Sequence, residues 1–583
     1  MNQLQKELVN LCEKAFWVEV VVESIVLQAP PKKDLWDQCF WLFEFMKQLR
    51  KSPNELWQRL IATLSEEGSD AIESFTVVWP YINIRIKKSY YAELFHDFFT
   101  EKKYLHRDIQ KEETIIVDYI WANVGKPLHI GHICTPLQWQ TGINLLRKLW
   151  YTVLWDSHIW DWWIIFWKLI VWYLYYWDDT KLEENAVEHL FDIYVKISAK
   201  AEINNELEQK FRDAFKLLSS WDDKSVDMWK KFTSASIDSM NALLNRLFVF
   251  PDYNIGESFY EWLNLPKLEN YPDLTHSMHE IVKELINKWI ATKNDDNSVW
   301  VIFSESSKLP SCILQKRDGT HGYLASDLAC IKYRIENWSP SRIIYFVDVR
   351  QQLHFKQAFE IATQAWWLHD TQLIHAHNGF ISLKDGAMST RKWRIIKLEA
   401  LLDEAQLRAR SIILEKRSDM SEVKLQELSE IIGIGAIKYW YLKKSRELDS
   451  VFDWDEYMSF DGNSGPYIQY AYVRAKRIIS WYTSVSPENH KLHFSEDLET
   501  QFIQKLFDFP ELVSEVEKNY SFHQLCLYAY DLTKIFSSFY AELSILNTQD
   551  ELVKYSRVQL TSCFTKIIEE IFSILAIPLP NEM

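Results

Sequence analysis

The chain of 583 residues carries a net charge of −16, with 48% hydrophobic and 25% charged residues; this allows about three to five domains with buried cores and excludes a uniformly basic nucleic-acid coat, though not a local basic groove. Seven cysteines are scattered without a C-x-x-C, so neither a disulfide framework nor a zinc site is suggested. No apolar tract reaches membrane-spanning length free of charge, and "MNQLQKELVNLCEKAF" is an amphipathic helical pattern without the apolar core of a signal peptide, so a soluble, cytoplasmic chain with no membrane partner is expected.

Residues 1–105 read as helices followed by the β alternation of "FTVVWPYINIRIKK", a unit of α+β type. "TIIVDYI" has the continuous apolar character of a buried parallel strand, and a loop and a helix over about residues 134–149 follow it. Strand, loop and helix open a doubly wound α/β domain, whose ligands gather at the carboxyl ends of its strands. The next stretch, "SHIWDWWIIFWKLIVWYLYYW" (157–177), has the length of a membrane span, but Asp156, Asp161, Lys168 and Asp178 punctuate or bracket it. Helical, charged text over about residues 182–300 reads as a helical insertion, interrupted by "FPDYNIGESFYEWL". "SCILQKRDGTHGYLASDLACIKYRI" and "RIIYFVDV" resume the sheet, so the α/β domain is expected over 106–398 and an all-α bundle over 399–583.

Glycine is scarce. There are 13 glycines where roughly 40 would be usual, and the 27 tryptophans match nearly the whole deficit. Several tryptophans sit where the backbone wants glycine. Trp150 stands at the left-handed position of a helix C-cap, the Trp366-Trp367 pair ends the helical run "FKQAFEIATQAWWLHD", and Trp393 lies between basic loop residues and a new apolar run. These misfits predict that many tryptophans are glycine in the living protein, its gene reading UGA as glycine. A chain truly rich in tryptophan is the competing reading.

The chemistry concentrates in "DYIWANVGKPLHIGH" (118–132). His129, Ile130, Gly131 and His132 sit where a loop enters a helix; the glycine admits a nucleotide base, while helix-end N–H groups and imidazoles face phosphate oxygens. Four letters are weak alone, but a strand precedes them, a helix follows, and a basic loop of Met388, Ser389, Thr390, Arg391 and Lys392 lies downstream. With "PYINIRI", "IGESFY", "DGTHGYLASDLA", "VDVRQQLHFKQ", "FDGNSGPYIQYAYVRA" and the closing "PLPNEM", these segments resemble the class I aminoacyl-tRNA synthetases, and within them the arginyl-tRNA synthetases, over nearly the whole chain. On that pattern Trp160, Trp163 and Trp167 fall on glycines and Trp162 on the family's own tryptophan, so the apparent membrane segment becomes loop and helix beside an active site.

The resemblance implies a class I, Rossmann-like catalytic domain, an amino-terminal domain that touches the tRNA elbow and a carboxyl-terminal bundle that binds the anticodon. It implies ATP and Mg²⁺ as cofactors, L-arginine and tRNA(Arg) as partners, a monomer without a protein-bound metal, and a need for tRNA before arginine is activated. His129, Ile130, Gly131 and His132 fall at the ATP, with the 388–392 loop closing over its phosphates. That loop departs from the pattern, having Ala387 and Thr390 where lysines are usual. Lys126 is expected to act in their place, with Arg391 and Lys392 as auxiliary cations.

Asp118, Asn123, Tyr323, Asp327 and Gln351 fall in the arginine pocket. A guanidinium presents five donors in a fork and calls for such acceptors, and Tyr323 and Asp327 share a face if their segment is helical. Tyr467, Gln469, Tyr470, Arg474 and Met583 are expected at the tRNA, rings meeting unstacked bases and cations meeting phosphates. A class I synthetase for another amino acid is disfavoured by the set Tyr323, Asp327 and Gln351. A catalytically inactive RNA-binding relative gains only if the indoles at 160 and 163 are literal.

Overall fold

The computed structural model describes residues 3–583 apart from 21–24, 29–36, 42, 79–80, 106–111, 120–124, 160, 162–168, 172, 174–178, 202–205, 208–209, 212, 214–221, 262–270, 384–395, 454–455, 457–461 and 483–490. Trp160, Trp162, Trp163, Trp167 and Trp393 thus lie outside the described residues. The chain forms two compact units. One comprises Met1–Leu105, Arg474–Pro510 and Leu532–Ile567; the other comprises His106–Val473, Glu511–Asp531 and Ile568–Met583.

In the first unit, the Ser52 side chain caps helix Pro53–Glu67 and Pro53 opens it, where the missing proline N–H costs no hydrogen bond. Gly68 closes it at φ +72°. This helix packs against Gln3–Phe16 and the strand Ile72–Val78, which belongs to an antiparallel sheet in the order Gln38–Trp41, Tyr81–Ile86, Ile72–Val78. Helix Asp497–Phe507 packs on Lys88–Thr100, with the Phe98 and Phe507 ring centroids 4.9 Å apart.

The second unit is built on five parallel strands in the order Gln372–His375, Arg342–Tyr345, Thr114–Tyr119, Thr152–Ile159, Tyr253–Gly256. From the central strand Thr114–Tyr119 the chain winds outward one way, then restarts on the other side. This reversal opens a crevice at the carboxyl ends of Thr114–Tyr119 and Arg342–Tyr345. Both faces of the central strand are covered, which is why Ile115, Ile116 and Val117 are all buried. Helix Cys134–Lys148 packs against it, Trp139 donating its indole N–H to the Val117 carbonyl at 3.3 Å. Helices Met278–Asn287, Tyr323–Trp338 and Gln352–Gln364 supply much of the core that includes Ile116.

The 182–300 region is not wholly helical. Asp179–Ala201 and Asp223–Arg246 pack on each other, but "YNIG" supplies an edge strand of the main sheet. Ala291–Lys293 and Val299–Val301 join Cys312–Gln315 in a small antiparallel sheet. Strands of three or four residues carry too little alternation to be read within charged text. Beyond residue 398 helices dominate the described residues as expected, and a short strand, Ser450–Phe452, pairs in parallel with Ile381–Leu383. Among the described residues no helix is long and apolar enough to cross a membrane, and all seven cysteines are free.

Among the described residues four tryptophans adopt the left-handed backbone conformation: Trp17 (φ 60°), Trp150 (66°), Trp289 (60°) and Trp366 (58°). Each stands just past a helix, and the last three precede a closing bond of Schellman type: Tyr151 N–H to Leu146 O at 3.2 Å, Ile290 N–H to Leu285 O at 3.0 Å and Trp367 N–H to Ala362 O at 3.2 Å. Their exposures are 88, 50, 93 and 86%, respectively, so little packing offsets the strain at Trp17, Trp289 and Trp366, whereas the buried Trp229 donates its indole N–H to the Asp161 carbonyl at 2.7 Å. Left-handed backbone costs an L-residue about 1–2 kcal/mol, of which glycine's greater unfolded entropy returns part. Trp→Gly at each of these four positions is therefore expected to raise unfolding free energy by about 1 kcal/mol. Trp229→Gly should lower it by ~3 kcal/mol or more, and urea unfolding of the single variants measures both.

Candidate active site

The central strand leads to the signature turn through residues 120–124; Asn123 therefore lies outside the described residues. His129 caps the short turn Ile130–Ile133, which runs into Cys134–Lys148. His129 Nδ1 accepts the Gly131 N–H at 3.1 Å, and the His129 backbone N–H donates to His132 Nδ1 at 3.0 Å, a reciprocal capping arrangement. The ring centroids are 3.8 Å apart. Because each Nδ1 is an acceptor, each ring carries its proton on Nε2 and keeps one N–H to donate. Burial, with the charge of Arg350 adding to it, lowers the His129 pKa to about 4. Burial also lowers His132 to about 3, helped by His129 and Lys126. Both imidazoles are thus neutral donors near pH 7.

The chain beyond the basic loop returns to this turn. Ile130 N–H donates to Ile396 O at 3.0 Å, Leu398 N–H donates to Leu128 O at 2.9 Å, and His129 pairs with Lys397. Met388, Ser389, Thr390, Arg391 and Lys392 lie outside the described residues, but their carboxyl-side flank is stitched to the histidines. Lys397 is held by Glu188 at 2.6 Å. Lys126, half-buried, has Nζ 4.7 Å from the Tyr194 ring centroid, and Arg350 forks onto Asp348 with two bonds of 2.8 Å.

Tyr345, Asp118 and Asp156 form one rung across three adjacent strands. Arg334, fully buried on helix Tyr323–Trp338, joins them: its Nη2 lies 2.6 Å from Asp118 and 2.9 Å from Asp156, and its Nε donates to Asp156 at 3.0 Å. Asp118 therefore already pairs with an internal guanidinium. Tyr323 opens the same helix and is 43% exposed, while Asp327, one turn later, is buried and paired with His354 Nε2 at 2.5 Å. Tyr345 is held well above the usual phenol range by burial, with Asp118 and Asp327 contributing and Arg334 opposing; both carboxylates thus act on one ring. Gln351 is the half-buried N-cap residue of Gln352–Gln364.

On the edge strand, a Cβ on Gly256 would lie 2.0 Å from the Asp161 carboxylate. Only glycine lets that carboxylate accept the Ser258 N–H at 2.9 Å and its hydroxyl at 2.6 Å. The adjacent Glu257 accepts from Ser326 at 3.1 Å, and its charge, second to burial, raises the Tyr323 phenol.

Sequence reasoning missed Arg334, Asp156, Glu257, Arg350 and His354. Arg334 left a trace, since Leu324, Leu328, Ile331 and Ile335 make its helix apolar around it, and a cation on such a helix signals a buried pair. His354 and Arg350 sit inside "VDVRQQLHFKQ", from which only Gln351 was singled out.

Of the expected tRNA contacts, Tyr467, Tyr470 and Arg474 share one face of helix Gly465–Trp481. Tyr470 is 46% exposed, Tyr467 packs near Tyr530 and Arg474 lies 5.0 Å from the Tyr540 ring centroid. Gln469 is fully buried and donates to the Pro578 carbonyl at 2.8 Å, so its amide braces the terminal segment instead of facing solvent. Met583 is half-buried.

Residues 95–454 match the family described as tRNA synthetases class I (R), catalytic domain; residues 468–583 match the DALR anticodon binding domain, and residues 2–86 the Arginyl tRNA synthetase N terminal domain. The arginine–tRNA ligase of Fusobacterium nucleatum subsp. nucleatum is 34% identical over 518 residues, 88% of each chain. That of Clostridium perfringens is 32% identical over 583 residues, 97% of this chain and 98% of the relative. The arginyl-tRNA synthetase structures from Plasmodium falciparum (TM-score 0.75, 20% identity) and Thermus thermophilus (0.73, 19%) match over 100% of both chains, a likeness of fold.

The neutral imidazoles give stability a pH dependence of definite sign. Unfolded histidine takes up a proton near pH 6.5, but the folded rings refuse theirs until about pH 4 and 3. These groups therefore cost nothing above pH 6.5 and destabilise progressively as pH falls from there toward 3. Unfolding free energy of the His129→Gln/His132→Gln variant is expected to fall less steeply than that of the parent between pH 6.5 and 4, as urea titrations at each pH would measure.

Proposed function

Because the chain belongs to the arginyl-tRNA synthetases, it activates L-arginine with ATP and transfers it to tRNA, and we propose how its own residues divide that work. The arginine carboxylate attacks the ATP α-phosphorus, the bond to pyrophosphate breaks, and arginyl-adenylate results. A ribose hydroxyl at the tRNA 3′ end then attacks the acyl carbon and AMP leaves. Both partners of the first step are anions, so catalysis is chiefly positioning and stabilisation of phosphate charge.

The observation that carries this reading is the pair of neutral imidazoles, locked by their Nδ1 atoms to backbone N–H groups at the sheet's crevice. Their Nε2–H groups donate to phosphate oxygens without needing to gain a proton. Ile130 and Gly131 lend the close backbone approach at the ATP. Lys126 supplies the positive charge that Ala387 and Thr390 do not, with Arg391 and Lys392 arriving as the 388–392 loop closes. Among the described residues no group of three or more His, Cys, Asp or Glu side chains could hold a metal ion. The donors and cations at the signature suit phosphate oxygens, so Mg²⁺ is proposed to come as the nucleotide's counterion, easing pyrophosphate's departure.

Asp327, Tyr323, Gln351 and Asn123 receive the arginine, with Asp118 supporting them through Arg334. Tyr470, Tyr467 and Arg474 face tRNA(Arg), whose use in translation makes the cytoplasm the proposed compartment. In pyrophosphate exchange, Lys126→Ala is expected to lower kcat roughly 100-fold, with partial recovery in Lys126→Arg, and omission of tRNA should abolish the exchange. Full activity of Lys126→Ala would remove the lysine from this role.

The native protein is proposed to carry glycine at 17, 150, 289 and 366 and tryptophan at 229. The left-handed, exposed indoles support the first set and the buried, hydrogen-bonded indole supports the second. Peptide masses of protein purified from its own cells decide each position, and tryptophan at all four would overturn the UGA reading.

A further inference from the structure

Two helices carry three of the residues assigned to the arginine pocket: Tyr323–Trp338 bears Tyr323 and Asp327, and Gln352–Gln364 is capped by Gln351. The helices pack on each other, and a side-chain bond crosses between them near the pocket. His354, in the first turn of the second helix, meets Asp327 Oδ2 through Nε2 at 2.5 Å. An ionised carboxylate only accepts, so Nε2 carries the hydrogen.

The side chains are 20% and 7% exposed, respectively, so the bond lies largely out of water, where it is stronger than at the surface. It restricts the rotation of the carboxylate and fixes one helix against the other. Asp118 differs, being bound to the internal guanidinium of Arg334. Of the two acidic groups assigned to the pocket, Asp327 is the one tied to an imidazole rather than to a guanidinium.

We propose that His354 is a positioning residue for arginine selection: it holds Asp327 in the rotamer that receives the substrate guanidinium and sets that carboxylate against Gln351. The inference rests on the arginine-pocket reading above. Ordering the carboxylate before substrate arrives removes an entropic cost that arginine binding would otherwise bear. Since the ATP-side residues belong to other elements, the consequence falls on arginine and not on ATP.

The test is pyrophosphate exchange by the full-length protein with tRNA present, reading KM for arginine and for ATP separately. His354→Ala is expected to raise the arginine KM about tenfold or more with the ATP KM changed less than twofold. His354→Gln, whose amide N–H can reproduce the Nε2 donor, should recover most of the loss. His354→Leu, which fills the space without a donor, should behave like the alanine variant and serves in its stead if that one does not fold. An unchanged arginine KM in His354→Ala or His354→Leu overturns the proposal, as does an equal rise in both KM values or a glutamine variant no better than leucine. Asp327→Asn separates the two levels: if it leaves the arginine KM unchanged, the pocket reading fails; if it raises that KM while the His354 variants do not, only the positioning role fails.

Discussion

A single guanidinium buried beneath the crevice holds the second unit's functional end together. Arg334 reaches from the middle helix to two carboxylates on neighbouring strands, so the helix bearing Tyr323 and Asp327 is fixed to the strand that feeds the signature turn. Burying one cation with two anions is costly unless the geometry is satisfied, and removing one partner of such a cluster typically costs about 3–5 kcal/mol. The cluster's value therefore lies as much in register as in net stability. With Asp118 and Asp156 side by side on one rung, one fork can bind both only if the helix has one rotation and one height.

On the proposed division of roles, the nucleotide side works by withheld charge. A protonated histidine pair would attract phosphate more strongly, but two imidazolium rings 3.8 Å apart would repel each other and pay a heavy desolvation penalty. The turn instead keeps both rings neutral and spends their Nδ1 atoms on backbone N–H groups, which leaves the Nε2 donors in fixed directions. Lys126 and Arg350, on longer side chains nearby, carry positive charge that already depresses the histidines. The flank at 396–398, paired to Leu128, His129 and Ile130, ties the chain just after the basic loop to this turn.

Local chemistry made much of this visible beforehand. "TIIVDY" announced a buried parallel strand because both of its faces had to be apolar, and "LHIGH" announced a turn into a helix. The break at Trp150 was legible because a helix followed by a strand needs a left-handed residue between them, and the backbone there has φ 66°. What stayed hidden were partners far apart in sequence. Asp118 and Asp156 stand on different strands, and nothing in the chain near either one names Arg334 as its partner. Gln469 sits among tyrosines and arginines that suggest a surface, yet helical rotation turns its amide inward to Pro578.

The sequence by itself determined the strand, turn and helix of the signature, the helical character of the carboxyl-terminal region, the family to which the chain belongs and the left-handed break at Trp150, because each follows from periodicity, backbone conformation or a contiguous motif. Only the tertiary structure decided which carboxylate is committed to Arg334 and which is tied to His354, and that both imidazoles are neutral. Those outcomes depend on burial and on charges brought within a few ångströms by folding, and neither quantity is a property of any short stretch of chain.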